Sequence, residues 1–251
     1  MFKAAYPFAS KFKYIAQMLA KVTDMIPFTV RPEGMEVKML SPDKTTMIIL
    51  RLPNLAFDSY ECDSEKTFIV RADELTKIVR RGTRNDILEF LLDEERRRLV
   101  LVFRDKRTGV SRRFYLQLRE GVVEKLGEPK IALPVKIRML TEDFKNMLKD
   151  AKIVSDEIDM KAYSDRLEAI AEGHQKNYKN IMRIDKPLIS YEASAEATAT
   201  YGLDLLEVSL KAMQACETVY IEFGENFPMK LTFDIPGGGV LIYWVAPRAK
   251  T

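Results

Sequence analysis

Cationic side chains recur at helical spacing along three stretches of the chain, and that pattern suits one kind of chemistry, the attraction of phosphate. Lys13, Gln17 and Lys21 lie at i, i+4 and i+8, which is one face of an α-helix. Lys77, Arg80, Arg81 and Arg84 follow a similar rhythm, as do Lys145, Lys149 and Lys152. In the first and third stretches an apolar row stands opposite, made of Phe12, Ile15, Ala16 and Leu19 in one and Phe144, Met147, Leu148 and Ala151 in the other. A solvated helix face is the ordinary explanation for any one such row, because exposed lysine is a good helix former. Three rows without interspersed acids point instead to a polyanion. Diffuse Lys and Arg charge holds phosphates without register, whereas a good base contact discriminates by about 1–3 kcal/mol and would pin the protein to one sequence. A fourth predicted helix, Leu203–Met213, departs from the pattern, since its corresponding face carries Asp204, Glu207 and Lys211.

Other chemistries find few residues to use. His174 is the only histidine and sits in a polar Gly-His-Gln-Lys stretch. With Cys62 and Cys216 far apart in sequence, no zinc set or thiol dyad of ordinary ligand count can be built. Pro236-Gly-Gly-Gly239 joins two strand-like runs, has no helix after it and lacks Gly-Lys-Ser/Thr, so it is not a phosphate loop. Glu94-Glu95 precede Arg96-Arg-Arg98 in a charged turn, and no carboxylate pair has a reason to be buried. The expectation is a protein that is not an enzyme and needs no cofactor or metal.

Composition narrows the setting. At 47% hydrophobic and 31% charged the chain is of ordinary globular type, and no apolar run approaches the roughly 20 residues of a membrane helix. The start, Met1-Phe-Lys-Ala-Ala-Tyr-Pro, lacks the form of a signal peptide. Two cysteines make no framework of bridges, which fits a reducing, intracellular compartment. The net charge of +3 is unevenly spread: residues 1–125 hold 24 Lys+Arg against 18 Asp+Glu, and residues 126–251 hold 16 against 19. A basic first half suits a polyanionic partner without proving one.

The elements that would carry these residues form a pattern used twice. Phe12–Asp24 matches Phe144–Asp156 as a helix, with Ser10 and Thr141 as expected N-caps and Glu142 and Asp143 suited to a first turn. Second helices are predicted over Asp73–Arg81 and Leu203–Met213, each ahead of a strand, Ile87–Leu92 and Val219–Phe223. Thr45–Leu52, Thr67–Val70, Leu99–Arg104, Val110–Leu118, Ile158–Tyr163, Arg166–Ala171, Tyr178–Ile184, Met229–Phe233 and Val240–Val245 read as strands. Helix, strands, helix, strands in each half argues for an α+β class with mostly antiparallel sheet, not a doubly wound parallel fold. Domains are expected over 1–118 and 133–251, joined by a connector, 119–132, that has no clear period and contains Gly121, Gly127 and Pro129.

Three segments carry a family resemblance: Phe223–Arg248 with its Tyr243-Trp244-Val245-Ala246-Pro247 ending, Met39–Leu50 followed by Phe57–Cys62, and Val123-Glu-Lys-Leu-Gly-Glu-Pro129. In order and spread they resemble the proliferating cell nuclear antigen family, the DNA sliding clamps of archaea and eukaryotes, and an archaeal subunit in particular. The resemblance implies two similar domains curving into a ring segment, helices facing a threaded double-stranded DNA, and a processivity factor that tethers polymerase, flap nuclease, ligase and clamp loader through short peptide motifs. A DNA-binding protein without a ring is the alternative. The location implied is the cytoplasm of an archaeon, at its nucleoid, or a eukaryotic nucleus.

Carried over position by position, the DNA-facing residues are Lys13, Lys21, Lys77, Arg80, Arg81, Arg84, Lys145, Lys149, Lys152 and Lys211. The partner-peptide pocket comprises Leu40, Met47, Leu126, Pro129, Pro228, Trp244, Ala246 and Pro247. Leu40-Ser-Pro-Asp43 differs from the family's usual Met-Asp-Pro-Ser, and Glu128 stands where an apolar residue is common. Subunit edges are expected at Val110–Leu118, with Arg112, Arg113 and Tyr115, and at His174–Ile184, with Lys176, Tyr178, Lys179 and Arg183. Both edges are basic, so identical subunits would set like charges face to face. A trimeric ring of different sister subunits is expected, with a homotrimer as the alternative.

Overall fold

The structure, a computed structural model, describes residues 1–249. They divide into two units. The first gathers Met1–Pro42, Ile48–Gly127 and Ile235–Leu241, and the second gathers Asp43–Met47, Glu128–Asp234 and the stretch from Ile242 on.

The first unit contains β1 (Phe2–Tyr6), α1 (Ala9–Val22), β2 (Met25–Arg31), β3 (Gly34–Leu40), most of β4 (Thr46–Pro53), β5 (Ser59–Cys62), β6 (Lys66–Arg71), α2 (Ala72–Val79), β7 (Asp86–Asp93), β8 (Arg98–Asp105) and β9 (Ser111–Gln117). One sheet runs β5-β1-β7-β8-β9 and the other strands follow the order β4-β3-β2-β6. The registers β1–β7, β7–β8, β8–β9, β2–β3 and β2–β6 are all antiparallel. Phe12, Ile15, Ala16 and Leu19 of α1 are fully buried, so the 3.6-residue period found its core. Phe12 packs edge-on to Phe90 of β7, with ring centroids 5.2 Å apart. Burying a side chain of this size contributes about 1.5–3 kcal/mol.

The second unit repeats this order with β10 (Val135–Leu140), α3 (Thr141–Lys152), β11 (Glu157–Ala162), β12 (Leu167–Gly173), β13 (Lys176–Ile184), β14 (Pro187–Leu188), β15 (Ser190–Ala193), β16 (Ala197–Gly202), α4 (Leu203–Glu207), β17 (Thr218–Phe223), most of β18 (Met229–Ile235) and the latter part of β19 (Gly239–Val245). Its strands are ordered β15-β10-β17-β18-β19 and β14-β13-β12-β11-β16. Set beside the first unit, β10 stands where β1 does, β17 where β7 does, and β11 and β12 where β2 and β3 do. Phe144, Met147, Leu148 and Ala151 of α3 are buried as expected.

Several local expectations need correction. Ser10 lies inside α1, whose N-cap is Phe8 with no side-chain cap, and Thr141 is the first helical residue of α3, not its cap. The physical reason in α3 is tertiary: the Thr141 amide donates to the Glu217 carbonyl at 2.9 Å and its hydroxyl donates to the Cys216 carbonyl at 3.0 Å, so a neighbouring loop replaces the local cap. The predicted fourth helix is α-helical for five residues only and continues as a 3₁₀ helix, Val208–Gln214. Helix α2 stops at Val79, so Arg80, Arg81 and Arg84 stand in the following turn. They are not a row on one helix face.

Candidate nucleic-acid and partner interface

Among the cations assigned to phosphate, two groups separate. Lys13, Lys21, Arg80, Arg81, Arg84, Lys149 and Lys211 have no carboxylate within 4 Å among the described residues, and Lys21, Arg80, Arg81, Arg84 and Lys149 are exposed. Lys77, Lys145 and Lys152 each answer a local acid. Lys77 lies 3.7 Å from Asp73, Lys145 lies 2.8 Å from Glu142 and Lys152 lies 2.6 Å from Asp156. The expected absence of interspersed acids therefore fails for α2 and α3, because their acidic first turns and Asp156, four residues past the end of α3, place carboxylates at i±3 and i±4 from these lysines. The Arg71 guanidinium hydrogen-bonded to Asp73 pulls that carboxyl down to about 2. Lys145 holds Glu142 below the usual carboxylate range. The Asp156 carboxylate raises the Lys152 ammonium pKa, with Glu207 and Asp204 adding smaller attractions. Lys152 is thus answered directly by Asp156, while the acids of α4 act on it only at longer range.

In the first unit a groove of about 170 Å³ is lined by strand residues of β2 and β3 and by the chain that follows β9. Leu40 and Leu126, both expected in the partner pocket, meet here. Met25, Met39, Ile69, Val122 and Val123 join them, and sequence reasoning missed these five. The signal available was the adjacent apolar pair Val122-Val123 in the connector; Val122 is 90% exposed and Met25 43%, unusual for their types.

In the second unit Met47 and Trp244 are buried, at 6% and 4% exposure, so neither offers an open face. Lys230 lies over the Trp244 indole at 5.7 Å. Pro129, Pro228, Ala246 and Pro247 are half-buried. The tail is fixed by its backbone, with the Ala246 amide donating to the Thr45 carbonyl at 2.8 Å and the Arg248 amide to the Thr200 carbonyl at 2.7 Å.

The two expected edges are real sheet margins with one change. Strand β9 ends its sheet, whereas the last two residues of β13 pair with β14. Charge on both margins is partly neutralised within the chain. Arg112 reaches Asp86 at 2.7 Å, and Asp86 is buried. Burial acts to raise the Asp86 pKa, but hydrogen bonds from Thr83 and the Arg112 guanidinium outweigh it and the net shift is downward. Lys179 lies 2.9 Å from Glu168, which Arg166 also holds, and both keep that carboxyl below its ordinary range. Arg183 reaches Asp165 only at 3.8 Å. Tyr115 is exposed, with the Arg98 guanidinium 4.3 Å from its ring centre, while Tyr178 is half-buried and its hydroxyl pKa is raised by that burial. Arg113 and Lys176 are exposed and have no carboxylate within 4 Å among the described residues.

Comparison with known proteins agrees with this architecture. The N-terminal domain model of the proliferating cell nuclear antigen matches residues 1–124 and the C-terminal domain model matches residues 128–248. A DNA polymerase sliding clamp of Thermofilum pendens is 31% identical over 252 residues, covering 100% of both chains. The crystal structure of the proliferating cell nuclear antigen from Thermococcus kodakaraensis superposes with a TM-score of 0.93 at 24% identity, covering 99% of this chain and 100% of that one. A PCNA2–PCNA3 complex from Sulfolobus tokodaii gives 0.89 at 24% identity, with 99% and 100% covered. With its tandem repeat, its antiparallel sheets and both domain models matched in order, the chain belongs to the proliferating cell nuclear antigen family and is a DNA sliding-clamp subunit of the clamp fold.

Proposed function

We propose that this subunit forms one segment of a ring that encircles double-stranded DNA without reading its sequence, and that it works as a non-catalytic processivity factor. The observation that carries this reading is the set of exposed cations without carboxylate partners, Lys21, Arg80, Arg81, Arg84 and Lys149, on or just after three helices of a twice-built fold. Such charge attracts phosphate and leaves sliding free. Lys13 and Lys211 add to it, and Lys77, Lys145 and Lys152 contribute less because acids accompany them. Client enzymes, among them polymerase, flap nuclease and ligase, and the clamp loader dock by apolar peptide anchors at Leu40 and Leu126 and along the tail at Ala246 and Pro247. The ring works in the cytoplasm at the nucleoid.

Primer extension on a long single-primed circle tests the reading. Addition of the assembled ring and loader lengthens products made by a clamp-dependent polymerase, and Leu126→Glu removes the gain. Unchanged product length with an intact ring contradicts it.

Different sister subunits remain the favoured ring composition, on narrower grounds than the edge sequences alone suggest. Arg112 and Lys179 are answered within the chain, so the repulsion rests on Arg113, Lys176 and the loosely held Arg183. Light scattering on the isolated chain at micromolar concentration reads below trimer mass on this account, and a stable homotrimer refutes it.

A further inference from the structure

We propose that Arg248 is a positioning residue for client docking: its side chain, seated over Gly202 against Asp204, holds the Ala246–Pro247 segment in the extended form that a partner peptide meets. The inference rests on the docking role proposed above for that segment.

Three observations converge. The tail is held by amides on alternate residues, Ala246 to the Thr45 carbonyl at 2.8 Å and Arg248 to the Thr200 carbonyl at 2.7 Å. Pro247 between them has no amide hydrogen to add. The Arg248 side chain adds a hold of its own to these backbone bonds. Its Nη2 lies 3.2 Å from Asp204 Oδ1 and its Nε 3.8 Å from Glu157 Oε1. The third observation is the glycine beneath. Gly202 has φ −71° and ψ 126°, an extended conformation open to any residue, so its backbone does not call for glycine. A Cβ there would lie 2.8 Å from Arg248 Nη2, 2.9 Å from Arg248 Nε and 2.5 Å from Asp204 Oδ1. Absence of a side chain at 202 makes room for this ion pair. All three obstructing atoms are ends of movable side chains, so a methyl group at 202 would expel the guanidinium and leave the strand and helix in place.

Exposure limits the size of the effect. Arg248, Asp204 and Glu157 all face solvent, and pairs of that kind give at most about a fivefold change in an equilibrium. That suits orientation of a short segment and not global stability. The seat also accounts for Asp204, which sequence pattern placed on a phosphate-facing surface: its carboxylate is turned to the tail.

The test uses the full chain and a fluorescent peptide from the clamp-binding tail of an archaeal replicative polymerase. Anisotropy gives its affinity, and hydrogen exchange follows the Ala246 amide. Arg248→Ala and Gly202→Ala each weaken the peptide about two- to fivefold, speed Ala246 exchange and leave the melting temperature in place. The double variant is no weaker than either single one, because both remove the same contact, and Arg248→Lys recovers part of the loss. Ala246 exchange unchanged in Arg248→Ala overturns the seat. Wild-type peptide affinity in Arg248→Ala and Gly202→Ala, while Leu126→Glu abolishes binding, overturns its role in docking. Normal binding by Leu126→Glu overturns the docking reading itself, and Ala246 exchange then still decides the seat.

Discussion

Asp86 is the residue whose environment is most sharply set. Its carboxylate is buried and receives the Thr83 amide and hydroxyl, both at 2.8 Å, together with the Arg112 guanidinium at 2.7 Å. Removal of one partner from such a group costs more than the pair contributes, because the remaining charge is left short of donors. Arg112→Ala is therefore expected to lower unfolding free energy by about 1–3 kcal/mol, read from urea melts, whereas Arg113→Ala on the same strand changes it by less than about 0.5 kcal/mol. The sign of the pH dependence follows from the downward shift at Asp86. A carboxyl with a lower pKa folded than unfolded stabilises the fold above its unfolded pKa, about 3.9, and loses that contribution as pH falls through its folded value. Melting temperature should decline on acidification below about pH 4, and Asp86→Asn should flatten that decline. An identical acid limb in both proteins would contradict the assignment.

Among the elements, helices were the most legible and their ends the least. The apolar rows of α1 and α3 were readable because four residues at 3.6-residue spacing leave little alternative. The limits of α2 and α4 were not, because their last turns are decided by tertiary packing and no glycine or proline stops either helix at Val79 or Glu207. Strand β9 was readable from its pattern, whereas β1, β2, β3, β5, β10, β14, β15 and β16 were missed; β3 alternates buried and half-buried residues cleanly, but through Met, Glu, Lys and Leu that also suit helices. For the candidate site, charge was legible and its partners only in part: the acidic first turns holding Asp73 and Glu142 are plain in the sequence, but that they pair with Lys77 and Lys145 while Lys149 stays without a carboxylate within 4 Å among the described residues is a matter of side-chain geometry. That difference is measurable. Each phosphate contact contributes a slope of about −0.9 to log K against log salt on duplex DNA. Arg80→Ala and Lys149→Ala should each reduce the slope by close to that amount, and Lys145→Ala by clearly less. Equal changes in all three would remove the distinction between free and paired cations.

At the scale of the molecule, the two units share one order of helices and strands, which is what a ring assembled from repeated segments requires. Pairing of such segments head to tail leaves no free sheet margin once the ring closes. In the proposed ring the exposed, partly neutralised margins at β9 and β13 would meet neighbours, and the cations of the helices would act together instead of singly. A closed ring holds DNA by topology, so its residence does not depend on the strength of any one contact. The most direct measurement compares retention of the loaded ring on a closed circular duplex and on the same duplex after a single cut, at a salt concentration high enough to screen phosphate contacts. The account predicts persistence on the circle and rapid loss from the free ends after cutting. Equal loss from both forms would contradict encirclement and leave a protein that binds DNA by charge alone.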